Sequence, residues 1–340
     1  MFDREPILVD LALQGGGSHG AFTWGVLDRF LEEPWLRIDG ISGTSAGAMN
    51  AAALAYGYSL DGSAGARRAL EEFWRRVAEA GRLSPIQRAP MDLIMGRWTL
   101  DNSPSYLAID MMSRLFSPYD LNLTGWNPLR RILTDGVDFS KIAGSPIKLF
   151  ITATNVATGR ARVFRNQDLT PEALIASACL PTMFQAIEID GAAYWDGGYS
   201  GNPTITPLIR ECTSQDTIIV PINPIVRPDL PRAASEILNR LNEVAFNAVL
   251  IKELRMIALL RRVADPGDEE GKKWAGMRVH RVANDVMKVL NASSKLIAEW
   301  DFFCLLREEG RRSAQSFLEH HAMDLGQRST LDLDVFLEGV

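Results

Sequence analysis

Ser45 stands in Gly43-Thr44-Ser45-Ala46-Gly47, with a glycine two residues to either side. That spacing, between an apolar stretch and an alanine-rich run, reads as a nucleophile elbow, a sharp strand-to-helix turn that presents a hydroxyl for attack on a carbonyl. A plain glycine-rich turn is the competing reading. A serine hydroxyl needs a base to take its proton, and histidine is the usual one. The chain has only His19, His280, His320 and His321. Ser45, Asp196 and His280 do follow the chain order of a nucleophile-acid-histidine triad, although Ser45 comes after only the second expected strand, early for that arrangement.

Two further clusters bear on the same chemistry. Gly15-Gly16-Gly17-Ser18-His19-Gly20 follows an apolar run and opens a helix, so its amides could cradle a nucleotide phosphate, with Asp39 as the ribose acid at the end of strand two. The same amides could instead hold the oxyanion of an acyl-transfer intermediate, or the glycines could simply make a tight turn. Asp196-Gly197-Gly198, followed by Asn202-Pro203, suits an ordinary acidic turn, yet it also supplies a carboxylate.

The elements that must position these residues alternate. ILVDLAL (7–13), RIDGIS (37–42), KLFITATNV (148–156), a stretch near 161–164 and DTIIVPI (216–222) read as strands, and IEIDGAAYWDGG as a hairpin turning at Asp190-Gly191. Helices are expected from Ser18 to Leu31, after Ser45, over 64–81, from Pro171 to Ala178, and from Ser293 to His321. Alternating strands and helices imply layering around a largely parallel sheet. Beyond Pro231, Ile237, Leu241, Val244, Ala248 and Ile251 recur at steps of four and three on one helix face, which is expected to pack on the core, a dimer contact being the alternative. MRVHRVA is a candidate strand. Between Arg82 and Trp126 lies a weakly periodic region whose Met91, Ile94, Met95, Met111, Met112 and Phe116 suit either irregular core or a mobile surface for acyl chains.

Bulk properties narrow the partners. A net charge of −6 over 340 residues gives no electrostatic case for nucleic acid. Cys179, Cys212 and Cys304 lack metal-ligand spacing and read as reduced thiols, and the first residues read as neither signal peptide nor anchor, so a cytoplasmic protein is expected. No cofactor and no metal are expected.

Taken together, GGGSHG, GTSAG and DGGYSGNP resemble the patatin-like phospholipases in content and order, and ASACLPTMFQAIEIDG is similar to the stretch before that family's aspartate. The resemblance spans residues 8 to 210. It implies a patatin-like three-layer α/β sandwich over 8–225, which leaves 226–340 as a mainly helical extension packed on it. It also implies a Ser-Asp dyad without histidine, with Ser45 as nucleophile and Asp196 as base. Backbone amides of Gly15, Gly16 and Gly17, with Ser18, would form the oxyanion hole, supported by Gly20, Gly43, Gly47, Gly197 and Gly198. The family's loop often carries Arg or Lys where this chain has His19, so the basic contact there is expected to be weaker and pH-dependent. His19 is read as a helix-start residue, not as the base. The implied substrate is a lipid or other acyl ester, met in the cytoplasm or at a membrane surface. Phospholipase A, lysophospholipase, esterase and polyester depolymerase activities all remain open.

Overall fold

The computed structural model describes residues 5–338 apart from Pro228 and Pro266. Its strands are β1 (Ile7–Leu13), β2 (Leu36–Gly43), β3 (Lys148–Asn155), β4 (Ala161–Arg165), β5 (Ile187–Ile189), β6 (Ala192–Asp196), β7 (Asp216–Val220) and β8 (Arg278–Arg281). They form one sheet in the order β5-β6-β3-β2-β1-β7-β8, with β4 also on β3. β3, β2, β1, β7 and β8 run parallel, and β4, β5 and β6 are antiparallel additions.

The helices begin with α1 (Gly20–Phe30), α2 (Ala46–Gly81), α3 (Pro90–Ile94), α4 (Pro104–Leu115), α5 (Pro118–Leu121), α6 (Pro128–Gly136) and α7 (Phe139–Ala143). They continue with α8 (Pro171–Ser177), α9 (Thr206–Glu211), α10 (Ala234–Val263), α11 (Glu269–Gly276), α12 (Val286–Val289), α13 (Trp300–His321) and α14 (Leu333–Phe336). Asp61 and Gly62 leave helical geometry inside α2, so the elbow helix and the one expected over 64–81 meet at a break.

Helices cover both faces of the sheet, which explains why the central parallel strands β1, β2, β3 and β7 are buried at consecutive rather than alternate residues. Val9, Leu11 and Leu13 of β1 enter one core with residues of α1, α2 and α13, including Phe22, Leu54 and Phe302. Ala12, Phe150 and Ile219 enter the other with Leu208, Leu250 and Trp274 of α9, α10 and α11. The result is a three-layer α/β sandwich. Residues after 225 add β8 to the sheet edge and α13 against α1.

Two expectations for the C-terminal third need correction. The apolar face of α10 does not pack on the core: Ile237, Leu241 and Val244 are 43, 59 and 48 % exposed. The inward face is Glu243, Asn247, Leu250, Leu254 and Ile257, which has the same four-and-three spacing but begins with two polar residues. Those two are satisfied, Glu243 by Arg227 and Arg240 and Asn247 by Gln14 and the Pro224 carbonyl, so burying them costs little. The last long helix starts at Trp300, not Ser293. Ser293–Leu296 is a separate 3₁₀ turn, held where Asn291 Oδ1 accepts the Ser294 amide.

Candidate active site

Parallel strands end on the same side, so the loops after β1 and β2 are neighbours. The β1–β2 register pairs Leu13 with Gly43, which sets the glycine loop beside the elbow. Ser45 is left at φ 54°, ψ −120°, a conformation rarely adopted by residues with a side chain, between the end of β2 and the start of α2. Its amide donates to Ser177 Oγ at 2.9 Å. A Cβ on Gly47 would run into the Leu13 carbonyl, and one on Gly43 would lie 2.7 Å from the Gly47 backbone, so the elbow closes only with glycines there.

Asp196 reaches the same point by a different route. β4 pairs with β3 over Phe150–Thr154, a range that overlaps the pairings of both β2 and β6, so β2 and β6 share the opposite edge of β3. Gly43 pairs with Ile151 and Asp196 with Ala153, two residues further on. Asp196 therefore sits just past the end of β2, facing the elbow. It is 1 % exposed. Its Oδ1 accepts the Gly198 amide at 2.7 Å, and Oδ2 has no hydrogen-bond partner among the described residues. Burial pushes its pKa up to about 7, against the Gly198 amide and the Ser45 hydroxyl, which both favour the charged form. The Ser45 hydroxyl thus stands beside the carboxyl without reaching hydrogen-bond geometry on Oδ2. Gly197 packs on the Thr152 carbonyl and Gly198 under Phe246.

The glycine loop touches Ser45 directly: a Cβ on Gly15 would lie 2.7 Å from Ser45 Cβ. The Gly15 amide, however, is already used, donating to Asn202 Oδ1 at 2.8 Å, so Gly15 cannot be an oxyanion donor as expected. Gly16 caps a 3₁₀ turn over Gly17–His19, and amides at the start of such a turn have no acceptor within it. Gly16, Gly17 and Ser18 are the candidate donors. Gly20 packs its Cα against Ala46 at the head of α2.

Behind the loop lies a buried polar layer that sequence reading did not reveal. Gln14 Oε1 accepts the Ile222 and Asn223 amides, Asn223 Nδ2 donates to the Gly15 carbonyl at 2.7 Å, and Lys295 Nζ donates to Asn223 Oδ1 at 2.6 Å. Burial holds Lys295 down to about 8, despite the opposing carboxylate of Glu243. His19 is buried, bonded through Nε2 to Ser294 Oγ at 2.7 Å, with Nδ1 unpartnered. Burial, with the Lys295 and Arg227 charges, holds it well below the usual histidine range, so it is neutral. No periodicity or spacing signals Ser177, Asn223 or Lys295, since each acts through one long-range contact.

The rival assignments fail on placement. His280 lies on β8, three strands from β2, with Nε2 at 3.0 Å from Asp216 Oδ1 and Nδ1 at 3.0 Å from Thr330 Oγ1. It is not in a triad with Ser45. Asp39 is not at the end of strand two but four residues before it, away from the glycine loop. Its oxygens take Thr213, Ser214 and Lys148, which leaves no carboxylate for a ribose. Asp10, Asp39 and Cys212 cluster closely enough for a metal, but Asp39 is engaged as just described and burial pushes Asp10 up to about 8.

In the region from Arg82 to Trp126, Met91, Ile94, Met95, Met111, Leu115 and Phe116 are all exposed. Trp98 differs: it stacks on Phe302 at 4.9 Å with Arg88 over its other face. The irregular-core reading therefore does not hold for the methionine-rich part. Among the described residues no helix is long and apolar enough to cross a membrane.

Comparison with known proteins gives a family and similar solved structures. The family model described as patatin-like phospholipase matches residues 11–209, over half of the chain. VipD from Legionella pneumophila is 14 % identical over 92 % of this chain and 67 % of its own, with a TM-score of 0.38. No curated protein sequence matches the chain. The matched span holds the glycine loop, the elbow and the Asp196 block in that order, and this chain belongs to the patatin-like phospholipase family.

Proposed function

We propose that the protein is a serine lipid acyl hydrolase, of phospholipase A, lysophospholipase or esterase type, working through a Ser45–Asp196 dyad. The observation that carries this reading is the Asp196 carboxyl: buried, raised to about 7, beside the Ser45 hydroxyl, and with one oxygen, Oδ2, without a hydrogen-bond partner among the described residues. An ordinary aspartate, with a pKa of about 3.9, is a poor base for a serine hydroxyl, and one titrating near neutrality is far better matched.

As Ser45 Oγ attacks the ester carbonyl, its proton passes to Asp196. The developing oxyanion takes hydrogen bonds from Gly16 and Gly17, with Ser18 as a further donor, and the positive end of α2 adds to the field. Asp196 then protonates the leaving alkoxide, and the alcohol departs from an acyl-enzyme on Ser45. Water then attacks the acyl carbonyl, losing a proton to Asp196, and Asp196 returns that proton to Ser45 Oγ as the acyl–Oγ bond breaks and the fatty acid leaves.

The substrate class rests on the family and on the exposed apolar surface from Met91 to Phe116, which suits acyl chains or transient contact with a bilayer. The test is labelling of purified protein with a fluorophosphonate, with Ser45→Ala and Asp196→Asn as controls, followed by hydrolysis of acyl esters of graded length. Labelling that survives Ser45→Ala rejects the reading.

A further inference from the structure

We propose that Asn223 and Lys295 are positioning residues for the oxyanion hole, acting through the Gly15–Gly16 peptide; this rests on the acyl-transfer reading above. The argument starts from peptide planarity. In a trans peptide the C=O of one residue and the N–H of the next point in opposite directions in one plane, so holding the Gly15 carbonyl aims the Gly16 amide. Asn223 Nδ2 holds that carbonyl at 2.7 Å. The preceding peptide is held too, because the Gly15 amide is bound to Asn202 Oδ1 at 2.8 Å. Gly15 is in contact with Ser45, so the Gly16 N–H is the first uncommitted donor beyond the nucleophile.

Lys295 extends the chain of contacts. Its ammonium donates to Asn223 Oδ1 at 2.6 Å, while its own carbonyl fills the space where a Gly17 side chain would be. A cation on Oδ1 draws electron density through the Asn223 amide, which strengthens the Nδ2 hydrogen bond to Gly15 and polarises the Gly15–Gly16 peptide in turn. Asn223 is 3 % exposed, and its backbone amide and both side-chain polar atoms are bonded, so it has one fixed orientation. The positive charge that reaches the oxyanion by this route comes from residue 295, far along the chain, and not from position 19, where burial keeps the imidazole neutral.

The test uses the full chain and a soluble short-chain p-nitrophenyl ester, with kcat and KM separated. Loss of one oxyanion donor costs about 10²- to 10³-fold in kcat, and a misaimed donor is expected to cost roughly 10- to 100-fold in Asn223→Ala with KM nearly unchanged. Lys295→Met is expected to lose roughly 10-fold in kcat, Lys295→Arg to recover most of that, and the Asn223→Ala/Lys295→Met pair to be no slower than Asn223→Ala alone, as for residues acting in one chain. Should Asn223→Ala fail to fold, Asn223→Asp keeps the Lys295 contact and puts a carboxylate oxygen, which cannot donate, in place of the Nδ2 that holds the Gly15 carbonyl. It is expected to fold, with a lower Tm than the parent, and to lose at least as much kcat as Asn223→Ala. Parental kcat in Asn223→Asp, or losses confined to KM, overturns the proposal. Ser45→Ala separates the two levels: if it retains turnover, the dyad reading fails and the positioning role with it, whereas an inactive Ser45→Ala beside a fully active Asn223→Asp overturns the positioning role alone.

Discussion

Replacing Asp196 by asparagine is expected to make the protein inactive and, above neutrality, more stable. In the folded chain this carboxyl holds its proton up to about pH 7, instead of the 3.8 of an unburied aspartate. A raised acid pKa means that the folded state binds the proton more tightly than the unfolded state. Its stability is therefore highest below about pH 4 and falls as pH rises through 7. The shift of about 3 units corresponds to about 4 kcal/mol, present in full above neutrality. Asparagine does not ionise and keeps the acceptor for the Gly198 amide. Asp196→Asn is thus expected to match the parent at pH 4 and to exceed it by up to about 4 kcal/mol at pH 8. With an unfolding entropy of about 0.7 kcal/mol/K for a chain of this length, that is roughly 6 °C in Tm. Asp10, also raised by burial, is common to both proteins and cancels in the difference. Thermal melts of the pair from pH 4 to 9, beside kcat/KM of the parent, form the assay. The parent's kcat/KM is expected to rise about tenfold per unit below pH 7 and level off above it, and to keep that limb in His19→Gln. A pH-independent Tm difference, or kcat/KM flat between pH 5.5 and 8.5, refutes the reasoning.

Other consequences can be checked separately. His280→Ala is expected to retain turnover but lose stability near neutral pH: against its burial, Asp216 is held down to about 2 by His280, Arg278 and the Gly326 amide, so the variant loses part of a contribution of about 2 kcal/mol that is present above pH 4, and its difference from the parent shrinks toward pH 2. Circular dichroism melts across that range, with ester turnover, measure both effects; loss of turnover as deep as in Ser45→Ala would restore the triad. Gly47→Ala would drive a methyl into the Leu13 carbonyl, and a loss of at least about 1–3 kcal/mol is expected from denaturant titration. Leu107→Asp with Met111→Asp, on the exposed face of α4, is expected to reduce hydrolysis of lipid in vesicles several-fold while leaving soluble short esters unaffected. Equal loss on both substrates would show that this surface does not serve lipid.

Much of the site was legible in the sequence because its motifs are local. An elbow needs small residues within two positions of its serine, and Gly43 and Gly47 announce it; a mirror-image turn needs positive φ, and Asp190-Gly191 supplies it, at 54° and 75°. Apolar runs marked β1, β2, β3 and β7 for the same reason. What only the tertiary structure decided depends on pairing between distant segments. Ser45 meets Asp196 because β2 and β6 share one edge of β3, a matter of register that no spacing encodes. The Gly15 amide is taken by Asn202, 187 residues away, which removes it from the candidate oxyanion donors. Periodicity points to the wrong face of α10 because it counts apolar residues, and here a satisfied Glu243 and Asn247 occupy the buried side while leucines face solvent. Local chemistry named the catalytic candidates, and long-range hydrogen bonding and strand register determined which of their atoms are free to act.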